Sequence, residues 1–215
     1  MMDLFFSILT ILILASAALA IRAREKGQKI PLYVFKPLTT VLIILFVVRA
    51  GQTDWTPYFY WIAAGLIFCL FGDVFLMFAE KWFVTGLVGF LIGHLFYILT
   101  FTSGFGFGLT PWFFVPIGLY GIALYSILFP HLAKLKIPVL VYVVVIIVMV
   151  WQAWERWHRV GGQVTLLASL GAAFFLISDT VLAMNRFRKG FKGAHTLSLS
   201  TYYVAQWLIA YSVRQ

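Results

Sequence analysis

The amino-acid sequence predicts an all-α integral membrane protein, a bundle of eight transmembrane helices that residues 1–215 form as a single domain. Of the 215 residues, 63% are hydrophobic and 11% are charged, whereas a soluble domain is about 45–50% apolar and about 25% charged. The mean hydropathy is +0.98. So few charges cannot cover the surface of a soluble protein. Lipid is therefore expected to surround much of this chain.

Eight apolar runs approach the length of about 20 residues that a helix needs to cross a bilayer. They cover residues 4–21, 36–50, 57–79, 83–102, 111–129, 138–154, 163–185 and 198–213. The loops between them are short, and proline or glycine stands at most junctions, as is usual where a helix ends. The runs are continuous rather than alternating, which favours helices over the strands of a membrane barrel.

The first run follows Asp3 rather than a basic cluster, and at about 18 residues it is long for the core of a signal peptide. Arg22, Arg24 and Lys26 come directly after it. We therefore interpret it as a first transmembrane helix that is retained in the mature protein.

The basic residues divide unequally between the two sides of the predicted bundle, with twelve of the 16 on one side. These are Arg22, Arg24, Lys26, Lys29, Lys36, Lys81, Lys134, Lys136, Arg186, Arg188, Lys189 and Lys192. By the positive-inside rule this side is cytosolic, so both termini are expected to be non-cytosolic. The net charge of +9 then indicates topology and contact with lipid headgroups, and no nucleic-acid partner is expected.

Two carboxylic acids lie inside the predicted spans, where an ionised Asp costs roughly 2.5–3.5 kcal/mol on insertion scales. Asp73 is in the third run and Asp179 is in the seventh, each seven residues before a cytosolic charge. At about 1.5 Å per residue, both side chains are expected roughly 10 Å inside the cytosolic boundary. Two acids at the same depth on different helices can share a cavity. A structural role, with each acid bonded to a neighbouring helix, is the alternative.

Other polar residues are predicted in the same half of the membrane. They are Lys36, Thr39, Thr40, His94, Tyr97, Asn185, Arg186, Tyr202, Tyr203 and Gln206. This grouping predicts a site that opens toward the cytosolic leaflet, although His94 and the tyrosines could equally serve helix packing. Lys36 and Arg186 could hold a phosphate or simply reach the interface. Glu80 and Glu155, at the ends of runs, are expected to be solvated.

Paired carboxyl groups suit reactions that need one protonated acid and one ionised partner. The sequence has no Gly-x-Ser-x-Gly elbow and no P-loop, which argues against the commonest hydrolase and nucleotide-driven chemistries. Asp73, His94 and Asp179 could supply three zinc ligands, but the usual clustered histidines are missing. Cys69, the single cysteine, excludes an internal disulfide. We therefore expect neither a metal nor a cofactor.

Five motifs in this order resemble the YhhN-like membrane family, which includes the transmembrane lysoplasmalogenases. They are Lys36-Pro-Leu-Thr39, Gly72-Asp-Val-Phe-Leu-Met77, the run from Phe83 through Gly93-His94 to Tyr97, Ser178-Asp-Thr-x-Leu-Ala-x-Asn-Arg-Phe187, and Tyr202-Tyr-x-Ala-Gln206. The resemblance runs from about residue 32 to residue 212.

The resemblance implies an eight-helix hydrolase that cleaves the vinyl-ether bond of lysoplasmalogens to a fatty aldehyde and glycerophosphoethanolamine or glycerophosphocholine. By motif, Asp73 and Asp179 match the family's presumed catalytic acids. The polar positions around them are matched by Lys36, His94, Tyr97, Asn185, Tyr203 and Gln206, with Arg186 as a second possible phosphate ligand. A transporter that uses the two acids as a proton relay is the alternative. The bacterial cytoplasmic membrane is the first expectation for its location, and the endoplasmic reticulum is the second.

Overall fold

The computed structural model describes residues 2–51, 56–78 and 80–214, and the regular structure of these residues is entirely helical. The α-helices are α1 (Met2–Glu25), α2 (Lys29–Ala50), α3 (Pro57–Phe75), α4 (Phe83–Thr102), α5 (Pro111–Leu128), α6 (Lys136–Val160), α7 (Gln163–Phe187) and α8 (Ala194–Tyr211). Short 3-10 turns at Glu80–Trp82, Phe129–His131 and Ala133–Leu135 lie in the connections. The prediction of an all-helical protein is confirmed.

Seven of these helices, α1 to α7, are long and apolar enough to cross a bilayer. The eighth helix is less apolar because Ser, Thr, Tyr and Gln side chains occur along it. Several of them, including Tyr202, Tyr203 and Gln206, are buried among the other helices. Composition therefore supports seven membrane spans, whereas the sequence runs predicted eight.

The eighth helix nevertheless extends along α1 from end to end. At its start, the Thr196 hydroxyl donates a hydrogen bond to the Glu25 carboxylate at 2.5 Å. Just beyond its end, the Arg214 guanidinium lies 4.5 Å from the centre of the Phe6 ring. The 18 residues of α8 rise about 27 Å at about 1.5 Å per residue, close to the thickness of about 30 Å of the hydrocarbon core.

Several helix ends differ from the predicted ones, and among them α1 ends at Glu25 rather than at residue 21 and α8 begins at Ala194 rather than at residue 198. The second helix begins at Lys29 rather than at residue 36, because Pro31 lies in the first turn, where a missing N–H does no harm. The third helix ends at Phe75 instead of residue 79, and residue 79 is outside the described residues. The sixth helix continues from residue 154 to Val160, because its last turns are bonded to the loop between α4 and α5.

That loop corrects the expectation that Glu155 is solvated. Glu155 is fully buried, and its carboxylate accepts hydrogen bonds from the Thr110 amide at 2.5 Å and the Thr110 hydroxyl at 3.0 Å. Trp151 donates its indole N–H to the same carboxylate at 3.0 Å. One turn away, Gln152 both donates to and accepts from the backbone of Gly108. Glu155 is therefore hydrogen-bonded to this loop and not to solvent water, which its position near the end of a run had suggested.

The helices form a closed ring with one helix outside it. In the order α1, α2, α3, α4, α6, α7 and α8, each helix packs on the next, and α8 returns to α1 and α2. The fifth helix lies outside this ring against α6. Large side chains without exposed surface fill the interior, among them Phe46, Leu66, Phe101 and Phe175. The two helices that carry Asp73 and Asp179, α3 and α7, therefore face the same interior.

Candidate active site

Asp73 is fully buried near the end of α3 and is surrounded by donors from two other helices. The Lys36 ammonium of α2 lies 3.2 Å from its Oδ1 atom. Its Oδ2 atom accepts hydrogen bonds from the Thr40 hydroxyl and the Tyr202 hydroxyl, both at 2.7 Å. A cation and two hydroxyl donors favour the ionised form of a buried carboxyl group. Asp73 is therefore placed to act as a carboxylate.

Asp179, on α7, has different neighbours. The Tyr142 hydroxyl of α6 donates a hydrogen bond to its Oδ2 atom. The Nε2 atom of His94 lies 3.8 Å from the same oxygen, too far for a hydrogen bond. The carboxyl group also lines a small cavity of about 40 Å³ whose other walls are mainly apolar. This setting, in which no lysine or arginine of the described residues pairs with the acid, favours a carboxyl group that keeps its proton.

His94 lies in the interior with no exposed surface. Its ring packs edge-on against Phe175 and Tyr142, with centroids 4.6 Å and 5.4 Å away. Among the described residues, neither ring nitrogen has a hydrogen-bond partner. Buried polar groups are normally bonded, so an imidazole that lacks such a bond beside Asp179 is unusual.

Aromatic rings separate the two acids. The Tyr202 ring, whose hydroxyl holds Asp73, lies 5.4 Å from Phe175, and Phe175 in turn contacts His94. The two acids therefore occupy separate compartments on either side of these rings, instead of the one shared cavity that the sequence suggested.

Three more of the predicted residues lie in the surroundings of Asp73. Gln206 donates to the Tyr202 hydroxyl at 2.7 Å, one bond away from the acid. The Tyr203 ring is 5.3 Å from the Tyr202 ring. Tyr97 lies deeper, with its hydroxyl 3.9 Å from the Cys69 sulfur. Gln206 and Tyr203 therefore support the Tyr202 donor of Asp73, whereas Tyr97 packs against Cys69 and Phe175.

Asn185 and Arg186 lie apart from the acids, at the end of α7. The Asn185 side chain lies against Gly190 in the following loop. The Arg186 guanidinium forms an ion pair of 2.8 Å with the exposed Glu80 and stacks on the Phe83 ring at 4.8 Å. Their position fits a role in holding α7 to the 3-10 turn before α4.

Tyr142 contacts Asp179 directly and was not among the predicted site residues. The sequence does carry a signal for it, because Tyr142 is the one side chain with a hydroxyl in the apolar stretch from Val139 to Val150. The predicted span that contains Tyr142, residues 138–154, has no acid and no histidine. Only the packing of α6 against α7 brings the Tyr142 hydroxyl to the Asp179 carboxyl group.

Among the described residues, no three His, Cys, Asp or Glu side chains are close enough to hold a metal ion.

A second cavity, of about 80 Å³, lies at the end of the bundle where α1 ends and α2 and α8 begin. Lys36 lines it and at the same time pairs with Asp73. Leu182 of α7 lines both this cavity and the apolar cavity of Asp179. The two cavities therefore share a wall, and each leads to one of the two acids.

Comparison with known proteins gives a consistent result over most of the chain. The model of the YhhN family matches residues 32–213, which include both acids and the residues that contact them. No solved structure matches the chain significantly.

Several curated relatives are similar to this chain. Human "Lysoplasmalogenase TMEM86A" is 37% identical over 160 residues, which cover 70% of this chain and 64% of the human protein. Mouse "Lysoplasmalogenase TMEM86B" is 31% identical over 182 residues, with 82% of this chain and 72% of the mouse protein covered. The "Uncharacterized membrane protein YhhN" of Escherichia coli O157:H7 is 28% identical over 202 residues, covering 92% and 94% of the two chains. The matched region thus spans less than two thirds of the human relative and nearly all of the bacterial one.

Proposed function

The chain belongs to the YhhN family, and from that premise we propose that it is a membrane hydrolase that cleaves the vinyl-ether bond of lysoplasmalogens. The products are a fatty aldehyde and glycerophosphoethanolamine or glycerophosphocholine. The names of the mammalian relatives support the substrate class. The observation that carries the proposal is the contrast between the two acids, the buried Asp73 being ion-paired with Lys36 and Asp179 being bonded to Tyr142 beside an apolar cavity.

In the proposed reaction, Asp179 is the acid. Its carboxyl proton passes to the outer carbon of the double bond, and the carbon attached to the ether oxygen becomes an oxocarbenium ion. Tyr142 positions the carboxyl group through its hydrogen bond. A general acid of this kind contributes about 10²- to 10⁴-fold to a rate. The apolar walls beside Asp179 suit the alkenyl chain that carries the reacting carbons.

Asp73 supplies the negative charge that the cation requires. Its carboxylate is held ionised by Lys36, Thr40 and Tyr202, and it stabilises the positive charge that develops in the transition state. Water then adds to the cationic carbon and loses one proton, which restores the acid form of Asp179. The hemiacetal collapses to the aldehyde and the glycerol hydroxyl, with one water consumed and no change in redox state.

The membrane arrangement is part of the proposal. We infer that α8 crosses the membrane like the seven apolar helices, because it extends along α1 from one end to the other. Both termini then lie on the non-cytosolic side and the basic end is cytosolic. The bacterial cytoplasmic membrane remains the first expectation for the location.

The first experiment measures aldehyde release from a 1-alkenyl lysophospholipid by the detergent-purified protein and by Asp73→Asn and Asp179→Asn. We expect each variant to lose at least about a hundredfold in kcat, as for the loss of a general acid or an electrostatic partner. Glu80→Gln is the matched control, because it removes an exposed carboxylate at the same end of the bundle.

The wild type should release no aldehyde from the 1-alkyl analogue, which has no double bond to protonate. A folded, monodisperse wild type that leaves both ethanolamine and choline substrates intact would contradict the proposal. The proton-relay transporter would then be tested by following substrate uptake into proteoliposomes.

A further inference from the structure

The cavity of about 80 Å³ at the basic end of the bundle is lined by basic side chains, which the proposed proton transfer from Asp179 does not require. Arg24 from the end of α1, Lys36 from α2 and His195 from the first turn of α8 all line it. Leu32, Leu76 and Leu199 supply apolar walls, and none of the described residues that line the cavity is acidic. Three potential cations around a space of about 80 Å³ form a site for an anion.

The first turn of α8 adds to this positive character. The helix begins after Gly193, and no side chain caps its N-terminus, so amide N–H groups of the first turn have no side-chain acceptor. Such an N-terminus favours a bound phosphate. The hydrogen bond between Thr196 and Glu25 ties this turn to the end of α1, which holds Arg24 and His195 on the two sides of the cavity.

The cations around this cavity also oppose one another. Arg24 and His195 both line the cavity, so the guanidinium and a protonated imidazole repel each other while no anion is bound. The ammonium group of Lys36 is already ion-paired with the Asp73 carboxylate. An anion between Arg24 and His195 would relieve this repulsion, and the surrounding basic residues would raise its local concentration.

The position of the cavity relative to the acids indicates which anion it takes. Lys36 connects it to Asp73, and Leu182 forms the wall between it and the compartment of Asp179. In a lysoplasmalogen, the phosphate and the vinyl ether are attached to opposite ends of a three-carbon glycerol unit. A phosphate in the cavity would therefore direct the glycerol unit and its vinyl ether toward Leu182, the side of the cavity that faces the compartment of Asp179.

We propose that Arg24, His195 and the first turn of α8 form the phosphate-recognition site for the lysophospholipid headgroup. Arg24 precedes the region that the family model matches, so the comparison with the family assigns it no role. The inference rests on the proposed function for the identity of the lipid, but headgroup binding can be measured without the hydrolytic step.

The experiment measures binding of a 1-alkyl lysophosphocholine, which the enzyme cannot cleave, to the full-length protein in detergent. It compares the wild type with Arg24→Gln, His195→Gln and the matched control Arg22→Gln, an exposed arginine on the same helix that does not line the cavity. We expect Kd to rise about tenfold or more in the first two variants, as for the loss of a hydrogen bond to a charged group. Arg22→Gln should bind like the wild type.

A 1-alkyl glycerol, which lacks the phosphate, should bind all four proteins equally well. In the hydrolysis assay, Arg24→Gln should raise KM by a similar factor and leave kcat nearly unchanged, the pattern of a lost binding contact. Equal Kd values for Arg24→Gln and Arg22→Gln would overturn the proposal even if the wild type releases aldehyde. Displacement of the lipid by inorganic phosphate as readily as by glycerophosphocholine would also overturn it, in favour of a free-phosphate site.

Headgroup recognition and hydrolysis can fail separately. If the wild type binds the alkyl lipid in an Arg24-dependent way but releases no aldehyde from the alkenyl lipid, the phosphate site stands and the proposed reaction falls.

Discussion

Asp73 and Asp179 show how neighbours decide the behaviour of one side-chain type. Asp73 receives a cation and two hydroxyl donors, and Asp179 receives a single hydroxyl beside an apolar cavity. Since a buried charge is stable only when it is paired and hydrogen-bonded, the ionised form belongs at Asp73. This difference in neighbours is the reason why we propose Asp179 as the proton donor and Asp73 as the ionised partner.

Replacement of Tyr142 by Phe removes the hydroxyl that holds Asp179. We expect kcat for aldehyde release to fall roughly tenfold to a hundredfold with little change in KM, because a hydrogen bond to a charged or reacting group contributes about 1.5–3 kcal/mol. Tyr125→Phe is the control, since the Tyr125 hydroxyl bonds only the Lys136 carbonyl among the described residues. Equal loss of kcat in both variants would exclude a specific role for Tyr142.

Lys36→Met tests the ion pair with Asp73. The substitution leaves a fully buried carboxylate without its cation, and breaking a buried pair in this way costs about 3–5 kcal/mol. We expect a marked fall in the melting temperature of the detergent-solubilised protein. The double variant Lys36→Met/Asp73→Asn should recover most of the loss, because no unpaired charge remains. A double variant that melts no higher than Lys36→Met would refute the electrostatic coupling.

At the scale of the elements, α3 and α4 pack closely because glycine replaces larger side chains at their contact. A Cβ atom added at Gly89 would lie 2.9 Å from the backbone nitrogen of Gly72 and 3.2 Å from the carbonyl oxygen of Phe68. Backbone atoms of a helix cannot move aside as a side chain can. This close approach, typical of small residues between membrane helices, places Asp73 and His94 in the same interior.

Gly89→Ala should therefore destabilise the protein by about 1–3 kcal/mol, the usual cost of overpacking. The matched control is Gly118→Ala on α5, where the nearest atom to an added Cβ is a Phe114 ring carbon at an ordinary 3.5 Å. There the better helix propensity of alanine should leave the stability unchanged or raise it by up to about 1 kcal/mol. Melting curves of the two variants in one detergent compare them directly. A lower melting temperature for Gly118→Ala than for Gly89→Ala would contradict the close packing of α3 and α4.

At the scale of the whole molecule, the membrane topology depends on whether α8 crosses the bilayer. If it crosses the membrane, residues after α1 and α7 are on one side, and residues after α6 and α8 are on the other. Single cysteines at Gln28 and Lys189 should react with a membrane-impermeant maleimide from the cytosolic side, and those at Val160 and Arg214 from the opposite side. The native Cys69 is buried and should not react. Labelling of Arg214→Cys from the same side as Lys189→Cys would show that α8 does not cross.

The sequence by itself determined the class of the molecule and its family. Long apolar runs with few charges exclude a soluble fold, and burial in a membrane makes an acid conspicuous because it is so costly. For this reason Asp73, Asp179, Lys36 and His94 could be proposed as site residues from the linear chain. The five ordered motifs indicated the family, which the match over residues 32–213 confirms.

Only the tertiary structure decided which groups meet. Tyr142 carries no charge, and nothing in its run shows that α6 turns it toward α7 and Asp179. Glu155 looked solvated because it lies near the end of a helix, but a loop distant in the chain covers it. Arg24 looked like a topology signal until the start of α8 closed a cavity beside it. Each of these contacts joins residues far apart in sequence, and helix packing rather than local composition determines such contacts.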